Sequence, residues 1–201
     1  MADHYYTHKP TTQSKESTWS YTLLGIPFRF TSDAGVFSKS TVDFGSRLVI
    51  ETVDFKTVPT GKILDIGCGY GPIGLSFAKA QPDRTIEMID INERAVHLSK
   101  VNAALNKIPN VSIHTSDLYT TVEGEEFSLI VSNPPIRAGK KVVHEILTGA
   151  FSLLQQGGQL VIVIQKKQGA PSARNKMEET FGNAEVLTKD KGYWIIKSEK
   201  E

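Results

Sequence analysis

Between positions 63 and 74 the chain reads Ile63-Leu64-Asp65-Ile66-Gly67-Cys68-Gly69-Tyr70-Gly71-Pro72-Ile73-Gly74, an apolar run opening into closely spaced glycines. Glycines let a backbone bend sharply and approach a ligand with no Cβ in the way. The segment is therefore a candidate cradle for a nucleotide-like molecule. Gly69-Tyr70-Gly71-Pro72-Ile73-Gly74 satisfies the dinucleotide pattern G-x-G-x-x-G, and Asp90 lies near the distance expected of a ribose-binding acid. Taken alone, that match does not separate NAD from other adenosine cofactors. A second segment, Asn133-Pro134-Pro135-Ile136, follows a later apolar run and offers hydrogen-bond acceptors on a stiff backbone.

The acid at the first strand end favours one class of cofactor. A dinucleotide site holds its pyrophosphate at the helix N-terminus beyond the glycines, and Asp65, two residues before the extra glycine Gly67, would repel that anion. S-adenosylmethionine has no phosphate and carries an ammonium and a sulfonium, so an acidic strand end suits it better.

Asn133-Pro134-Pro135-Ile136 suits the other half of a methyl transfer. An exocyclic or amide nitrogen is a poor nucleophile because its lone pair is delocalised. Two acceptors that hold its hydrogens rotate the lone pair toward an incoming methyl group. The Asn133 side-chain oxygen supplies one acceptor and the Pro134 carbonyl another. Pro135 biases residue 134 toward an extended conformation and has no competing N–H. Catalysis is then chiefly alignment. The plain alternative is a turn, which Asn-Pro dipeptides commonly start.

These residues need a scaffold that brings strand ends to one rim. From Lys62 onward, short apolar runs alternate with helical patterns, the signature of a parallel sheet with crossover helices. The expected strands are Lys62 to Ile66, Thr85 to Asp90, Val111 to Ser116, Phe127 to Ser132 and Gly158 to Ile164. One expected helix runs from Glu93 to Asn106. Another buries Val142, Val143, Ile146, Leu147, Ala150, Leu153 and Leu154 on one face. Ala184 to Thr188 and Tyr193 to Lys197, joined by Lys189-Asp190-Lys191-Gly192, read as a closing antiparallel hairpin. Trp19 to Leu24 and Ile26 to Thr31 flank Gly25 as a second hairpin, and Phe44 to Val53 reads as a helix. Ligands of open parallel sheets bind beyond the strand carboxyl ends, where Asp65, Asp90, Asp117 and Asn133 all fall.

The glycine-turn segment resembles the first motif of class I S-adenosylmethionine-dependent methyltransferases. Asn133-Pro134-Pro135-Ile136 resembles the motif of amino-group methyltransferases acting on adenine N6, guanine N2 or glutamine N5. Gly35-Val36-Phe37-Ser38, followed by Asp43, Gly45 and Ser46, is similar to the bacterial small-subunit ribosomal RNA guanine-N2 methyltransferases, a likeness covering roughly residues 20 to 197. The resemblance implies an α/β fold: a Rossmann-like sheet of about seven strands with an antiparallel C-terminal hairpin and helices on both faces. Residues 61–201 would be the S-adenosylmethionine-dependent domain, with 1–60 an extension packed on it. By resemblance, Asp65, Gly67, Gly69 and Gly71 flank the cofactor, Asp90 holds its ribose, Asp117 holds its adenine, and Phe37, Ser38 and Asp43 line its pocket. Asn133, Pro134, Pro135 and Ile136 form the catalytic motif. Family members often carry a further methyltransferase-like domain in front, which is not part of this sequence.

One departure concerns the base. Many amino-methyltransferases place an aromatic at the fourth motif position to stack on a flipped base, where this chain has Ile136. Arg137 is expected to compensate by stacking its guanidinium, and Arg137, Lys140 and Lys141 form a candidate RNA-binding cluster. Lys166, Lys167, Arg174 and Lys176 form a second. Other readings keep the cofactor but take a protein glutamine or small molecule as substrate, or make the chain a non-catalytic RNA-binding module.

Composition sets the outer limits. The 201 residues, 39% hydrophobic and 22% charged, fit one domain of an ordinary soluble protein. A net charge of +1 provides no global field toward nucleic acid, so RNA or the ribosomal small subunit would be met by a local patch. No apolar run spans a bilayer, and the N-terminus lacks a secretory core, so the expected location is cytoplasmic. The lone cysteine, Cys68, excludes an internal disulfide and reads as a small turn filler. His4, His8, His97, His114 and His144 form no metal-ligand pattern on an expected helix, so no metal is expected. The sequence specifies no oligomeric state.

Overall fold

The alternating apolar runs become strands covered on both faces. The computed structural model describes residues 15–34 and 41–201. Its elements are β1 (Ser17–Leu23), β2 (Ile26–Ser32), α1 (Phe44–Thr52), β3 (Lys62–Ile66), α2 (Pro72–Ala80), β4 (Ile86–Asp90), α3 (Glu93–Leu105), β5 (Val111–Thr115), β6 (Phe127–Ser132), α4 (Lys140–Leu153), β7 (Leu154–Gln165), α5 (Ala170–Phe181), β8 (Glu185–Asp190) and β9 (Tyr193–Glu199).

Seven strands form one sheet in the order β5-β4-β3-β6-β7-β9-β8, with β9 antiparallel to both its neighbours. Strands β3 to β7 are mutually parallel. All six residues of β6 are buried, as expected of a central parallel strand covered on two faces. Its two faces divide the core: Leu129 and Val131 join one cluster with Val49, Leu75 and Phe77, while Ile130, and Phe127 ahead of a register shift, join the other with Ile146, Leu147 and Met177. The return from β8 to β9 is made by Lys191 and Gly192, both at positive φ (46° and 81°). That conformation matches the right-handed twist of a two-residue hairpin.

The largest departure from an expected boundary is at β7. Leu154, assigned from its spacing to the helix before the last parallel strand, is extended (φ −83°, ψ 137°) and begins β7, four residues ahead of the expected start at Gly158. Its side chain still enters the same core cluster as Leu153, so apolar spacing alone could not distinguish helix from strand there. The pairing with β6 shifts register between Phe127 and Leu129, which absorbs the extra length.

The β1–β2 hairpin forms its own two-stranded sheet and docks through α3. Asn102 accepts from the Thr31 N–H at 2.7 Å and returns its amide to the Thr31 carbonyl at 2.9 Å. Asn106, one turn later, does the same for Arg29. Two amides four residues apart thus satisfy the free edge of β2 as a third strand would. Phe28 and Phe30 pack into the cluster that holds Tyr70 and Leu75.

Candidate active site

The sheet order reverses between β3 and β6, and a cavity of about 550 Å³ opens beyond the strand ends there. Its size is that of a small-molecule site. The turn after β3 supplies Gly67 to Tyr70, β4 supplies Asp90, the segment after β5 supplies Asp117 and Leu118, and β6 leads into Asn133 to Arg137. Asp43 and Ser46 enter from the start of α1, and Tyr193 from β9.

The turn is built to hold something other than phosphate. Gly67 and Gly69 have φ of 75° and 60°, and a Cβ on either would meet no atom of the described residues within 4 Å. Both Cβ positions are open, so side chains there would occupy space now available to a ligand. The turn's donors are already engaged: Gly67 and Cys68 N–H donate to the Ile89 carbonyl, Gly69 N–H to Asp90 Oδ2, Gly71 N–H to the Cys68 carbonyl and Gly74 N–H to Asp65 Oδ2. Pro72, first in α2, has none. A pyrophosphate at this helix N-terminus would find few of the N–H groups it needs, whereas the phosphate-free S-adenosylmethionine fits.

Asp90 sits at the cavity edge, its Oδ1 and Oδ2 accepting from Asn92 and Gly69 N–H, both at 2.9 Å. Burial pushes its carboxyl up, opposed by these backbone donors. The Ile91 N–H is a third backbone donor to the carboxylate, and of its roughly four lone-pair positions one is left for a ribose hydroxyl. Asp117 lies exposed at the mouth, beside Leu118 in the left-handed region (φ 49°).

Asp65 and Gly71 stand behind this wall. Asp65 is 1% exposed and does not line the cavity. Gly71, the residue preceding α2, offers no capping side chain, and Asp65 substitutes for it from the neighbouring strand by accepting the Gly74 N–H at 2.8 Å. Its Oδ1 is buried without a partner among the described residues. Burial, opposed by Gly74 and aided by the nearby Asp90, pushes this carboxyl up to about 7. The folded state therefore retains a proton that the unfolded chain, near 3.8, releases. Stability from this group is full below pH 3.8 and is lost as pH rises to about 7, and Asp90 acts with the same sign. The urea midpoint is expected to be lower at pH 8 than at pH 5, with a smaller difference in Asp65→Asn. Equal differences in the two proteins would remove Asp65 as the cause.

Asn133 is held from one side. Its Nδ2 donates to Asp43 Oδ2 and to Ser46 Oγ, each at 3.1 Å. A carboxylate only accepts, so this contact assigns the amide's orientation chemically. Asp43 Oδ2 also accepts the Ser46 N–H at 2.9 Å as the N-cap of α1, so one oxygen both starts the helix and anchors the amide. Asn133 Oδ1 receives no donor among the described residues, nor does the Pro134 carbonyl receive a backbone N–H. Two acceptors are left over where the cavity lies.

Among the other expected residues, Pro134, Pro135, Ile136, Arg137 and Lys141 line the cavity, whereas Lys140 at the start of α4 does not. Arg137 is exposed, in a short 3₁₀ turn, and Lys141 lies 3.7 Å from Glu145. In the second basic cluster, Arg174 and Lys176 pair with Glu178 and Glu179. Phe37 and Ser38, with Gly35, Val36, His4 and His8, lie outside the described residues. Cys68 is buried, and burial pushes its thiol well above the ordinary value, which leaves it no thiolate for nucleophilic work. The sequence did not point to Ser46 as a partner of Asn133, and it placed Tyr193 in a strand but not in the cavity.

Comparison with known proteins places these features in a family. The model described as methyltransferase small domain matches residues 27–197. The chain is 56% identical over 201 residues to YbxB of Bacillus subtilis, an uncharacterized protein, with both chains covered in full. It is 32% identical over 170 residues to ribosomal RNA small subunit methyltransferase C of Erwinia tasmaniensis, covering 83% of this chain and 48% of that protein. Among solved structures, a T. thermophilus 16S rRNA N2 methyltransferase in complex with AdoMet and guanosine superposes with a TM-score of 0.85 at 25% identity, over 96% of this chain and 52% of that one. The chain thus spans about half the length of the ribosomal RNA methyltransferases it matches.

Proposed function

The chain belongs to the methyltransferase small domain family, and from that premise we propose that it methylates an exocyclic amino group, guanine N2 of small-subunit ribosomal RNA, using S-adenosylmethionine. The observation that carries this reading is the anchored Asn133 amide. With Nδ2 committed to Asp43 and Ser46, its oxygen is left to accept a hydrogen from the substrate amine, and the Pro134 carbonyl accepts the other.

Bound S-adenosylmethionine supplies an activated methyl group and leaves as the thioether. The protein's own work is geometric. Gly67 and Gly69 would leave room for the cofactor, Asp90 would hold its ribose and Asp117 its adenine. Asn133 and Pro134 hold the amine's two hydrogens so that the nitrogen lone pair points along the line of transfer. The methyl group would pass to that nitrogen while the departing sulfur takes the C–S electron pair, and the nitrogen would then lose its extra proton to water. No strong base is needed, and none of the described cavity residues would provide one. Tight alignment of this kind accounts for many orders of magnitude in rate.

The choice of guanine in ribosomal RNA is supported by the names of the relatives, small subunit methyltransferase C and the N2 enzyme crystallised with guanosine. Arg137 and Lys141 at the rim are suited to an anionic strand. To test the reading, purified protein is incubated with methyl-labelled S-adenosylmethionine and small ribosomal subunits lacking the modification, and the RNA is digested to nucleosides. Label in N2-methylguanosine is expected. Label in N6-methyladenosine would retain the chemistry and change the base, and unlabelled RNA alongside intact cofactor binding would redirect the search to protein glutamine or small molecules.

A further inference from the structure

Tyr193 stands in the cavity wall with Asn133, Asp43 and Ser46, yet neither the glycine turn nor the Asn-Pro-Pro motif involves it. It arrives there because β9 runs against its neighbours: its first residue pairs with Gln165, the last of β7, at the carboxyl ends of the parallel strands. The fold makes room for its ring. Gly45 lies in α1, where glycine costs a helix about 1 kcal/mol relative to alanine. Unlike the turn glycines, it has no positive φ to require it. A Cβ there would lie 3.0 Å from Tyr193 Cε1 and 3.3 Å from Asp43 Oδ2. Gly45 thus gives up helix propensity so that this ring can lie beside the carboxylate that anchors Asn133.

Cations border the ring next to it, that of Phe44. Phe44 packs against Tyr193 at 5.5 Å between centroids, with the Arg47 guanidinium 5.2 Å and the Lys191 ammonium 4.8 Å from the Phe44 centroid. Arg47 is steadied by a 3.1 Å hydrogen bond to the Tyr21 hydroxyl, and the exposed Lys191 is held out by the hairpin turn. Among the described residues neither cation forms an ion pair with a carboxylate. An aromatic ring in the cavity wall, packed on a second ring that two unneutralised cations border, matches a nucleotide of single-stranded RNA: the base stacks and the adjoining phosphates meet the charges.

Building on the function proposed above, we propose that Tyr193 is the stacking platform for the target base, supplying the aromatic contact that Ile136 does not, and that Arg47 and Lys191 hold the phosphates of the flanking single strand. The terminal hairpin is then a substrate-binding element as well as the closing edge of the sheet.

The test uses full-length protein saturated with S-adenosylhomocysteine and a short single-stranded RNA carrying one 2-aminopurine, a base that keeps guanine's 2-amino group and loses fluorescence when stacked. Wild type and Tyr193→Phe are expected to bind and quench it. Tyr193→Leu is expected to bind about tenfold more weakly with most of the quenching lost, while its affinity for S-adenosylhomocysteine stays within about twofold of wild type. Gly45→Ala, which crowds the ring without removing it, is expected to weaken quenching and is the second variant should Tyr193→Leu fail to fold. Lys191→Ala should retain quenching and lower the salt dependence of binding by about one unit of slope. Wild-type quenching and affinity in Tyr193→Leu would overturn the proposal, as would a Tyr193→Phe as impaired as Tyr193→Leu, or RNA binding by none of the proteins. Failure of the broader function shows differently: quenched RNA that never acquires a methyl group leaves the stacking site standing and removes the reaction.

Discussion

Asn133→Ala is expected to lower kcat about a hundredfold or more while leaving the dissociation constant for S-adenosylmethionine within about twofold. The reason lies in which contacts disappear. The half of the cavity proposed for the cofactor is formed by the turns after β3, β4 and β5, and none of the hydrogen bonds named for those turns involves Asn133. What goes is the acceptor that holds one hydrogen of the incoming amine, and with it the direction of the lone pair. Asp43→Ala is expected to reproduce part of this loss, about tenfold in kcat, together with about 1 kcal/mol of stability from the lost helix cap. Stopped-flow or quench-flow single turnovers, with cofactor affinity measured by calorimetry, separate the two effects. If Asp43→Ala weakens cofactor binding and spares turnover, Asp43 is a cofactor-pocket residue, as family resemblance suggests, and the amide is oriented by Ser46 alone.

The second large effect is expected at Gly69. Its φ of 60° would hold any substituted residue in the left-handed region, with a Cβ that meets none of the described residues within 4 Å. Gly69→Ala should therefore cost stability through backbone strain and weaken S-adenosylmethionine binding about tenfold to a hundredfold through crowding, equivalent to about 1 to 3 kcal/mol. Gly124 is the control. It too has a positive φ (81°) with open space around its Cβ, but it is exposed and away from the cavity. Gly124→Ala should show similar strain in chemical denaturation and normal cofactor affinity in calorimetry. Equal affinity losses in the two variants would mean that strain, rather than the methyl group's position, is what the ligand senses.

The sequence by itself determined the sheet and the two motifs. Strands such as Phe127–Ser132, buried at every position, are largely apolar, with Ser128 and Ser132 donating to the Lys62 and Ile66 carbonyls, and helices such as Glu93–Leu105 carry a periodic buried face. Both patterns are local and survive in one dimension. The glycine turn and Asn133-Pro134-Pro135-Ile136 are legible for the same reason, since each acts through consecutive residues. Tertiary structure alone decided what those motifs touch. Asp65 looked like a charge facing the cofactor, yet it lies behind the turn and caps α2 through Gly74, a contact nine positions along the chain that depends on how strand and helix pack. The partners of Asn133 lie 90 and 87 positions away, and Tyr193 reaches the cavity only because the last strand is inserted in reverse. Gly45 had a visible identity and no visible purpose until the ring above it was in place. Secondary structure follows from the periodicity of burial along the chain, whereas the orientation of an amide or the wall of a cavity depends on residues from separate elements arriving at one point, and no spacing in the sequence records that meeting.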